Sequence, residues 1–279
     1  MKRRQLLQTL SVSSIAYTGM GRWIRSVQAD GQNFFRYHDP RGDDLLAESL
    51  DRVEFWNGSE LTQYPGYPYD QIRIKEDNRG IVTFISGTGN TTFTPALVAE
   101  GIFEHQNIIP QYMSRLKVGE YLGRGVDSHH GLAYTDMFFL ADIKIFYMSV
   151  PLRTVRYPLG DGRFICAIEL VTENMVSPDE WVEYTSFMRT AEATLQGDWT
   201  IFPVVPMEYL VGYYLVEPDT VSGARVSMTT RMQFKQDVSW VADWGAQLSI
   251  VLRQGMIAGF MGSVEACKHL KSTRLEASP

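Results

Sequence analysis

The chain of 279 residues carries 26 lysines and arginines against 32 aspartates and glutamates, a formal net charge of -6. Hydrophobic residues make up 44% and charged residues 21%, the balance of an ordinary globular protein, and two cysteines are too few for a disulfide scaffold. This composition excludes a disordered or collagen-like chain. It also argues against a nucleic-acid partner, because phosphate backbones are bound by clustered lysines and arginines.

The first 29 residues differ from the rest in charge. They hold five of the 26 basic residues and none of the 32 acidic ones, so the remainder carries -11. A Lys-Arg-Arg at 2–4, a mildly apolar stretch over 6–20 and small residues ending at Ala29 follow the order of a secretory signal, and the paired arginines resemble a twin-arginine signal. We therefore expect a signal peptide over 1–29 and soluble export to the periplasm. An amphipathic N-terminal helix or a retained anchor is the alternative.

The segment before residue 94 predicts a lead-in, one helix and a hairpin. Residues 30–43 are rich in turn formers and are expected to be extended. Apolar residues at helical spacing predict a helix over about 45–56. Strand-like runs at about 71–75 and 81–86 flank Asp77-Asn78-Arg79-Gly80, which is typical of a hairpin turn.

Thr94-Pro95 predicts a helix start, because threonine caps a first turn and proline there lacks only an N–H that would be unpaired anyway. This helix is expected over 95–106, and a second helical segment over about 109–118. From Leu132 onward, aromatic and β-branched residues predict an antiparallel meander. Its strands are expected at about 132–140, 143–150, 163–172, 183–195, 199–204, 209–216 and 224–235, with turns at Gly160-Asp161-Gly162, Gln196-Gly197-Asp198 and Ser222-Gly223.

Alternation within these runs predicts one apolar and one wet face of the sheet. The apolar sets are Val226, Met228, Met232 and Phe234 on one strand and Phe164, Cys166, Ile168 and Leu170 on another.

A final helix is predicted over about 238–270, followed by a flexible polar tail over 271–279. Its wide apolar stripe is interrupted by Gly245, Gly255, Gly259 and Gly262. Because glycine destabilises a helix interior by about 1 kcal/mol relative to alanine, these glycines indicate close approach by the sheet or by a ligand.

The sequence shows no recognisable catalytic set. His129-His130 has only Asp127 nearby as a third metal ligand, so a solvated loop is the preferred interpretation, and neither a metal nor a cofactor is predicted. Arg153 and Glu192 are expected to face an apolar interior and meet a ligand's polar head, with an outward, solvated orientation as the alternative. Cys166 and Cys267 are either bridged or two buried free thiols, which sequence alone does not decide.

A family resemblance rests on the order of elements over residues 44–270 and on three motifs. The motifs are VPLRTVRY at 150–157, GDWTIFP at 197–203 and DVSWV at 237–241. They resemble the mid-domain Arg-Asp motif, the Gly-x-Trp-x-x-x-Pro strand and the start of the last helix in the START domain, of the Bet v 1-like or SRPBCC class. The first has Tyr157 where the family has its acid, and the third lacks the family's Pro-Gly-Gly.

The resemblance implies an α+β helix-grip fold, in which a curved antiparallel sheet wraps around a long C-terminal helix and encloses an apolar cavity. Methionine and aromatic side chains suit an adaptable pocket, although any core needs such stripes. The residues expected to contact the ligand are Tyr147, Arg153, Cys166, Ile168, Glu192, Met228, Met232, Trp244, Leu248, Met256 and Phe260.

The leading hypothesis is an exported, non-catalytic protein that binds or transfers a sterol, hopanoid, fatty acid or phospholipid. Turn-rich segments at 124–131 and 217–223 are candidate lids, and the acidic body predicts only brief membrane contact. One alternative is an SRPBCC-type cyclase, aromatase or hydrolase that uses Tyr147, Glu192 or Arg153. The other is a ligand-sensing adaptor of an envelope complex.

Overall fold

The computed structural model describes nine stretches of the chain. These are residues 61–62, 72–79, 82–104, 116–126, 131–142, 146–196, 204–221, 223–234 and 259–273, with only the backbone described before residue 89. The expected signal peptide, lead-in and 45–56 helix lie outside these stretches. The GDWTIFP and DVSWV motifs, His129-His130 and residues 238–258 of the final helix lie outside them as well.

Nine strands form one sheet in the order β1-β2-β3-β9-β8-β7-β6-β5-β4, and each neighbouring pair is antiparallel. Tyr147–Ser149 of β6 also pairs in parallel with Val204–Pro206 of β8. The strands are β1 (Leu61–Thr62), β2 (Ile72–Arg79), β3 (Val82–Thr91), β4 (Leu116–Val126), β5 (Ala133–Asp142), β6 (Tyr147–Gly160), β7 (Arg163–Leu170), β8 (Val204–Asp219) and β9 (Gly223–Phe234).

The described residues include three helices that pack on this sheet: α1 (Pro95–Glu104), α2 (Pro178–Gln196) and α3 (described over 259–273), with a short 3-10 turn at Glu173–Met175. One face of the sheet packs against α1 and α3 in a large apolar cluster, and we call it the inner face. The opposite, outer face packs against α2 through a second apolar cluster. The predicted α+β class, an antiparallel sheet with a C-terminal helix on it, is confirmed.

The start of α1 is as the sequence predicted. The Leu97 N–H donates to Thr94 Oγ1 at 3.4 Å and the Val98 N–H to the Thr94 carbonyl at 3.0 Å, so threonine satisfies two N–H groups of the first turn. The predicted second helical segment at about 109–118 is wrong at its end, because residues 116–118 belong to β4.

Strand β4 was not predicted from the sequence, because its three glycines weaken the strand pattern. In the structure, two of these glycines are needed for steric reasons. A Cβ at Gly123 would collide with the Tyr184 hydroxyl, and a Cβ at Gly125 would lie 2.8 Å from the Tyr134 hydroxyl. These glycines leave room for tyrosines that belong to other elements.

The strand predicted at 183–195 is wrong, since these residues form most of α2. The Glu180 N–H donates to Ser177 Oγ at 3.3 Å and the Ser177 N–H to the Glu180 carboxylate at 2.8 Å, a capping box ahead of a helix that begins at Pro178. Its buried and half-buried apolar residues recur at helical spacing: Tyr184, Met188, Ala191 and Leu195.

The predicted turns at 160–162 and 222–223 connect antiparallel strands, and the one at 77–80 is shifted. The strand-to-strand turn expected at Gln196-Gly197-Asp198 is wrong, because Gln196 ends the helix α2. Gly160, Asp161 and Gly162 all have positive φ angles, 82°, 50° and 72°, in the turn between β6 and β7. The turn expected at 77–80 is two residues later, because Arg79 pairs with Val82. In both candidate lids the described residues are mostly strand ends, 124–126 of β4 and 217–219 of β8.

The expectation of one wet face is wrong for the central strands. Ile165 and Ala167 of β7 and Val211, Tyr213 and Leu215 of β8 are buried although they alternate with the inner-face residues. Strands covered on both faces have nearly continuous apolar sequences, as in the YLVGYYLV of β8.

The helix α3 continues to residue 273, three residues beyond the predicted end.

Helices α1 and α3 touch at Gly101. A Cβ built there would lie 3.2 Å from Cys267 Sγ and 3.3 Å from both Ala266 Cβ and the Ser263 carbonyl oxygen. Such distances are tighter than ordinary van der Waals contact, so the two helices come together only where α1 has no side chain.

We expect Gly101→Leu to lower the free energy of unfolding by about 1–3 kcal/mol, because a side chain must force α1 and α3 apart. Urea denaturation measures this, with Ala96→Leu on the exposed side of α1 as the matched control. Equal stability of the two variants would show that the helices are not packed at this distance.

Candidate functional site

The inner face of β6 to β9 is organised in cross-strand rows that the register sets. A first row consists of directly paired residues on four strands: Arg156, Cys166, Tyr214 and Met228. The second row is one step along the strands: Thr154, Ile168, Gly212 and Thr230. Helices α1 and α3 lie across these rows, since Cys166, Ile168, Tyr214 and Met232 share one cluster with residues of both helices.

Five of the residues expected to contact a ligand therefore come together. Cys166, Ile168, Met228, Met232 and Phe260 all belong to the inner apolar cluster or pack against it. Trp244, Leu248 and Met256 lie outside the described residues.

Helix α3 approaches the sheet closely at Gly259, the first of its described residues. A Cβ at Gly259 would lie 2.8 Å from the Tyr214 hydroxyl oxygen and 3.7 Å from Met228 Sδ. The close approach that the helix glycines indicated is thus confirmed at Gly259, and the approaching group is a side chain of β8. Burial raises the pKa of Tyr214 above its ordinary value, so this phenol stays neutral at physiological pH.

Several apolar side chains of the same face are not fully covered. Phe139, Met148, Leu152, Phe164 and Met228 pack against the inner cluster yet remain half-buried, while neighbours such as Val150 are buried completely. Apolar surface on the packed side of a sheet is normally covered by the core. The alternation of apolar and polar residues predicts that Met228 and Phe164 lie on the apolar face. No pattern in the sequence predicts that their side chains stay partly exposed there.

Arg153 lies on the outer face, not toward the interior as expected. Its Nε and Nη2 donate to the two oxygens of Asp136 at 2.7 Å each, and its Nη1 donates to the Met175 carbonyl at 3.0 Å. The Tyr184 hydroxyl donates to the same carboxylate at 3.1 Å. The guanidinium also lies 3.7 Å from the centre of the Tyr134 ring.

This ion pair is almost fully buried, with 2% of the Arg153 side chain and none of the Asp136 side chain exposed. Burial raises the pKa of Asp136, and the hydrogen-bonded guanidinium acts in the opposite direction. The acid that Arg153 lacks at position 157 is supplied by the neighbouring strand. The pair and its hydrogen bonds join β5, β6, the 3-10 turn and α2. Arg153 therefore stabilises the fold and does not bind a ligand on the inner face.

Tyr147 and Glu192 lie on the outer face as well, and so differ from the expected orientation. Ser149 Oγ donates to Glu192 Oε1 at 2.6 Å, and Tyr147 packs with Ala191 and Leu195 of α2. The sequence around Glu192 predicts a strand because it is rich in Val, Phe, Tyr and Thr. The predicted orientation of Arg153 is wrong because a shift of one residue in register moves every side chain of a strand to the opposite face.

Both cysteines are free, buried thiols, which decides between the two alternatives left open by the sequence. Cys166 Sγ donates to the Ala99 carbonyl at 3.6 Å and Cys267 Sγ to the Leu97 carbonyl at 3.5 Å, so each thiol is engaged with α1. Burial raises the pKa of both thiols to about 12. They are therefore protonated and unreactive in the folded protein.

No group of three or more His, Cys, Asp or Glu within the described stretches has the arrangement to hold a metal ion. In the same stretches, no helix combines the length and the apolar character needed to cross a bilayer.

Among solved structures, the chain is similar to a fragment of the STAR-related lipid transfer protein from Xanthomonas axonopodis, with 13% identity, a TM-score of 0.46 and coverage of 76% of this chain and 98% of that one. It is also similar to human StAR-related lipid transfer protein 5, with 10% identity, a TM-score of 0.46 and coverage of 83% of this chain and 96% of that one. The third similar structure is human STARD10, with 14% identity, a TM-score of 0.47 and coverage of 86% of this chain and 84% of that one. No family model and no curated protein matches.

We expect Asp136→Asn to lower the free energy of unfolding by about 3–5 kcal/mol, because it leaves the Arg153 charge buried without compensation. Denaturant titration measures this. The exposed pair of Arg124 and Glu104 provides the control, since Glu104→Gln should cost less than about 1 kcal/mol. Replacing both partners, as Asp136→Leu with Arg153→Met, should recover most of the loss. If the Asp136→Asn variant were as stable as the Glu104→Gln variant, the burial of the Asp136–Arg153 pair would be contradicted.

We expect the folded protein to resist a thiol reagent at pH 8, because both thiols are buried and protonated. Both cysteines should react once the chain is unfolded without reductant. Val221→Cys, at a position that is 93% exposed, is the positive control and should react at once. Loss of both thiols from the unfolded chain would instead reveal a disulfide.

Proposed function

We propose that this chain is an exported START-like protein that binds one lipid-like molecule between the inner face of the sheet and helices α1 and α3. The observation that carries the proposal is the half-buried apolar set Phe139, Met148, Leu152, Phe164 and Met228. These side chains come from four strands, pack against the core cluster and still retain accessible surface. An apolar ligand placed against them would be removed from water, which contributes about 25 cal/mol per Å².

Binding without turnover fits the proton states of this face. On β6 to β9 its described titratable groups are Arg156, Cys166 and Tyr214, and burial keeps the last two protonated at neutral pH. On β4, Tyr121 and Arg124 of the same face are hydrogen-bonded to Glu104 at the end of α1. General acid–base chemistry needs a group whose pKa lies near the working pH. The inner face therefore supports a carrier or transfer protein over a hydrolase or cyclase.

Export is the second part of the proposal and rests on the basic, then apolar, then small-residue order of residues 1–29. We expect the protein in the periplasmic fraction with its N-terminus at Asp30. Replacing both Arg3 and Arg4 by lysine should leave the full-length chain in the cytoplasm if the twin-arginine route is used. Export of that variant at the normal rate would contradict this route.

The direct test is organic extraction and mass spectrometry of protein purified without detergent. We expect one lipid species at close to one molecule per chain. An empty extract from correctly folded protein, together with no uptake from lipid vesicles, would overturn the proposal.

We expect Met228→Glu to abolish most lipid uptake, because a carboxylate on the inner face would have to be desolvated by the ligand. Met188→Glu is the matched control: the same change at another half-buried methionine, but on α2 at the outer face. Lipid per chain is measured for both after confirming cooperative unfolding. Equal lipid contents in the two variants would place the ligand elsewhere.

A further inference from the structure

Arg156 is a charged residue on the inner face. It pairs directly with Cys166, whose side chain belongs to the inner apolar cluster, and it alternates with Tyr157 and Val155 on the other face of β6. Its guanidinium carbon lies 5.5 Å from the centre of the Phe103 ring of α1. Arg156 is thus the end member of the first row, next to Cys166.

The other half-buried or buried arginines among the described residues have carboxylate partners: Arg153 binds Asp136, and Arg163 binds Asp161. The more exposed Arg225 binds Glu217. Arg156 is half-buried, and its guanidinium forms neither an ion pair nor a hydrogen bond in the described structure. It faces the Phe103 ring.

An arginine remains charged at any physiological pH, and an unpaired charge at an apolar, partly dehydrated surface is costly. An aromatic ring compensates only part of that cost, because a cation–π contact contributes about 0.5–2 kcal/mol. A guanidinium presents five N–H donors in a planar fork that matches carboxylate and phosphate groups. Phe103 covers one side of this fork, and the donors at its edge are available.

We propose that Arg156 anchors the head group of the ligand, and that the ligand is an anionic lipid with a carboxylate or a phosphate next to its apolar chains. This rests on the proposed function and narrows it: fatty acids and acidic phospholipids are favoured over sterols and hopanoids. Arg156 lies at one end of the first row, beyond Cys166, with Tyr214 and Met228 further along it. The apolar chains would extend along that row toward the half-buried methionine.

The test compares ligands that differ only in charge. The delipidated protein is titrated with oleate and oleyl alcohol, and with dioleoyl phosphatidate and dioleoylglycerol, by isothermal calorimetry. We expect at least one anionic ligand to bind about tenfold or more tightly than its neutral counterpart, as a charge-assisted hydrogen bond provides.

Arg156→Gln should remove this preference, weakening the anionic ligand by about tenfold to a hundredfold and leaving the neutral one within about twofold. Arg156→Lys keeps the charge without the fork and should fall between wild type and glutamine. Arg189→Gln removes an exposed arginine from α2 and should bind as wild type does. The wild-type comparison and the lysine variant test the proposal even if the glutamine variant does not fold.

Three outcomes would overturn the inference while leaving lipid binding intact. They are equal affinity of wild type for charged and neutral ligands, equal loss of both in Arg156→Gln, and inorganic phosphate binding as tightly as phosphatidate. The second would assign Arg156 a structural role on Phe103, and the third would make it a site for a free anion. Failure of wild type to bind any of the four lipids, together with an empty organic extract, would overturn the proposed function itself.

Discussion

The close contact of three layers at helix α1 is the constraint on which the rest of the inner side depends. α1 is held between β7 and α3, and at Gly101 there is no room for even a methyl group without displacement. Its carbonyls at Leu97 and Ala99 accept the two thiols of the protein from opposite neighbours, the helix α3 and the strand β7. Because interiors are packed as densely as crystals, fixing α1 in this way also fixes how far α3 stands from the sheet.

Away from that contact the burial of the inner face is less complete. Around Cys166, Phe260 and Val264 the apolar side chains are buried completely, whereas Met148, Leu152, Phe164 and Met228 retain exposed surface. The contrast is what a closed core beside a binding surface would produce. The first row runs through both regions, from Arg156 at one end to Met228 at the other.

The outer face provides rigidity. There α2 covers β5 and β6, and the Asp136–Arg153 pair links two strands, the 3-10 turn and Tyr184 of the helix. A buried pair of this kind adds little net stability over apolar residues, but removing one partner is costly. Arg153 and Arg156 show how the two faces divide. They are three residues apart on one strand and point to opposite sides, and among the described residues only the first has a carboxylate partner.

Sequence reasoning succeeded where the signal is local. The Thr94 cap, the Gly160-Asp161-Gly162 turn and the alternation of Cys166, Ile168 and Leu170 depend on residues within a few positions of one another. It failed for α2, where Val182 and Phe187 are exposed on a helix although their types favour strands. It failed for β4, where Gly123 and Gly125 are explained only by tyrosines from α2 and β5.

The sequence by itself determined the α+β class, the start of α1, the main hairpins and an apolar inner set on β7 and β9, because turn chemistry and side-chain periodicity act over short distances. Only the tertiary structure decided that Arg153 is bound to Asp136, that the two thiols donate to separate carbonyls of α1, and that Arg156 faces the inner side with no carboxylate partner among the described residues. Each of these depends on strand register or helix docking, which bring together residues 17 to 170 positions apart along the chain. No local pattern encodes such a pairing.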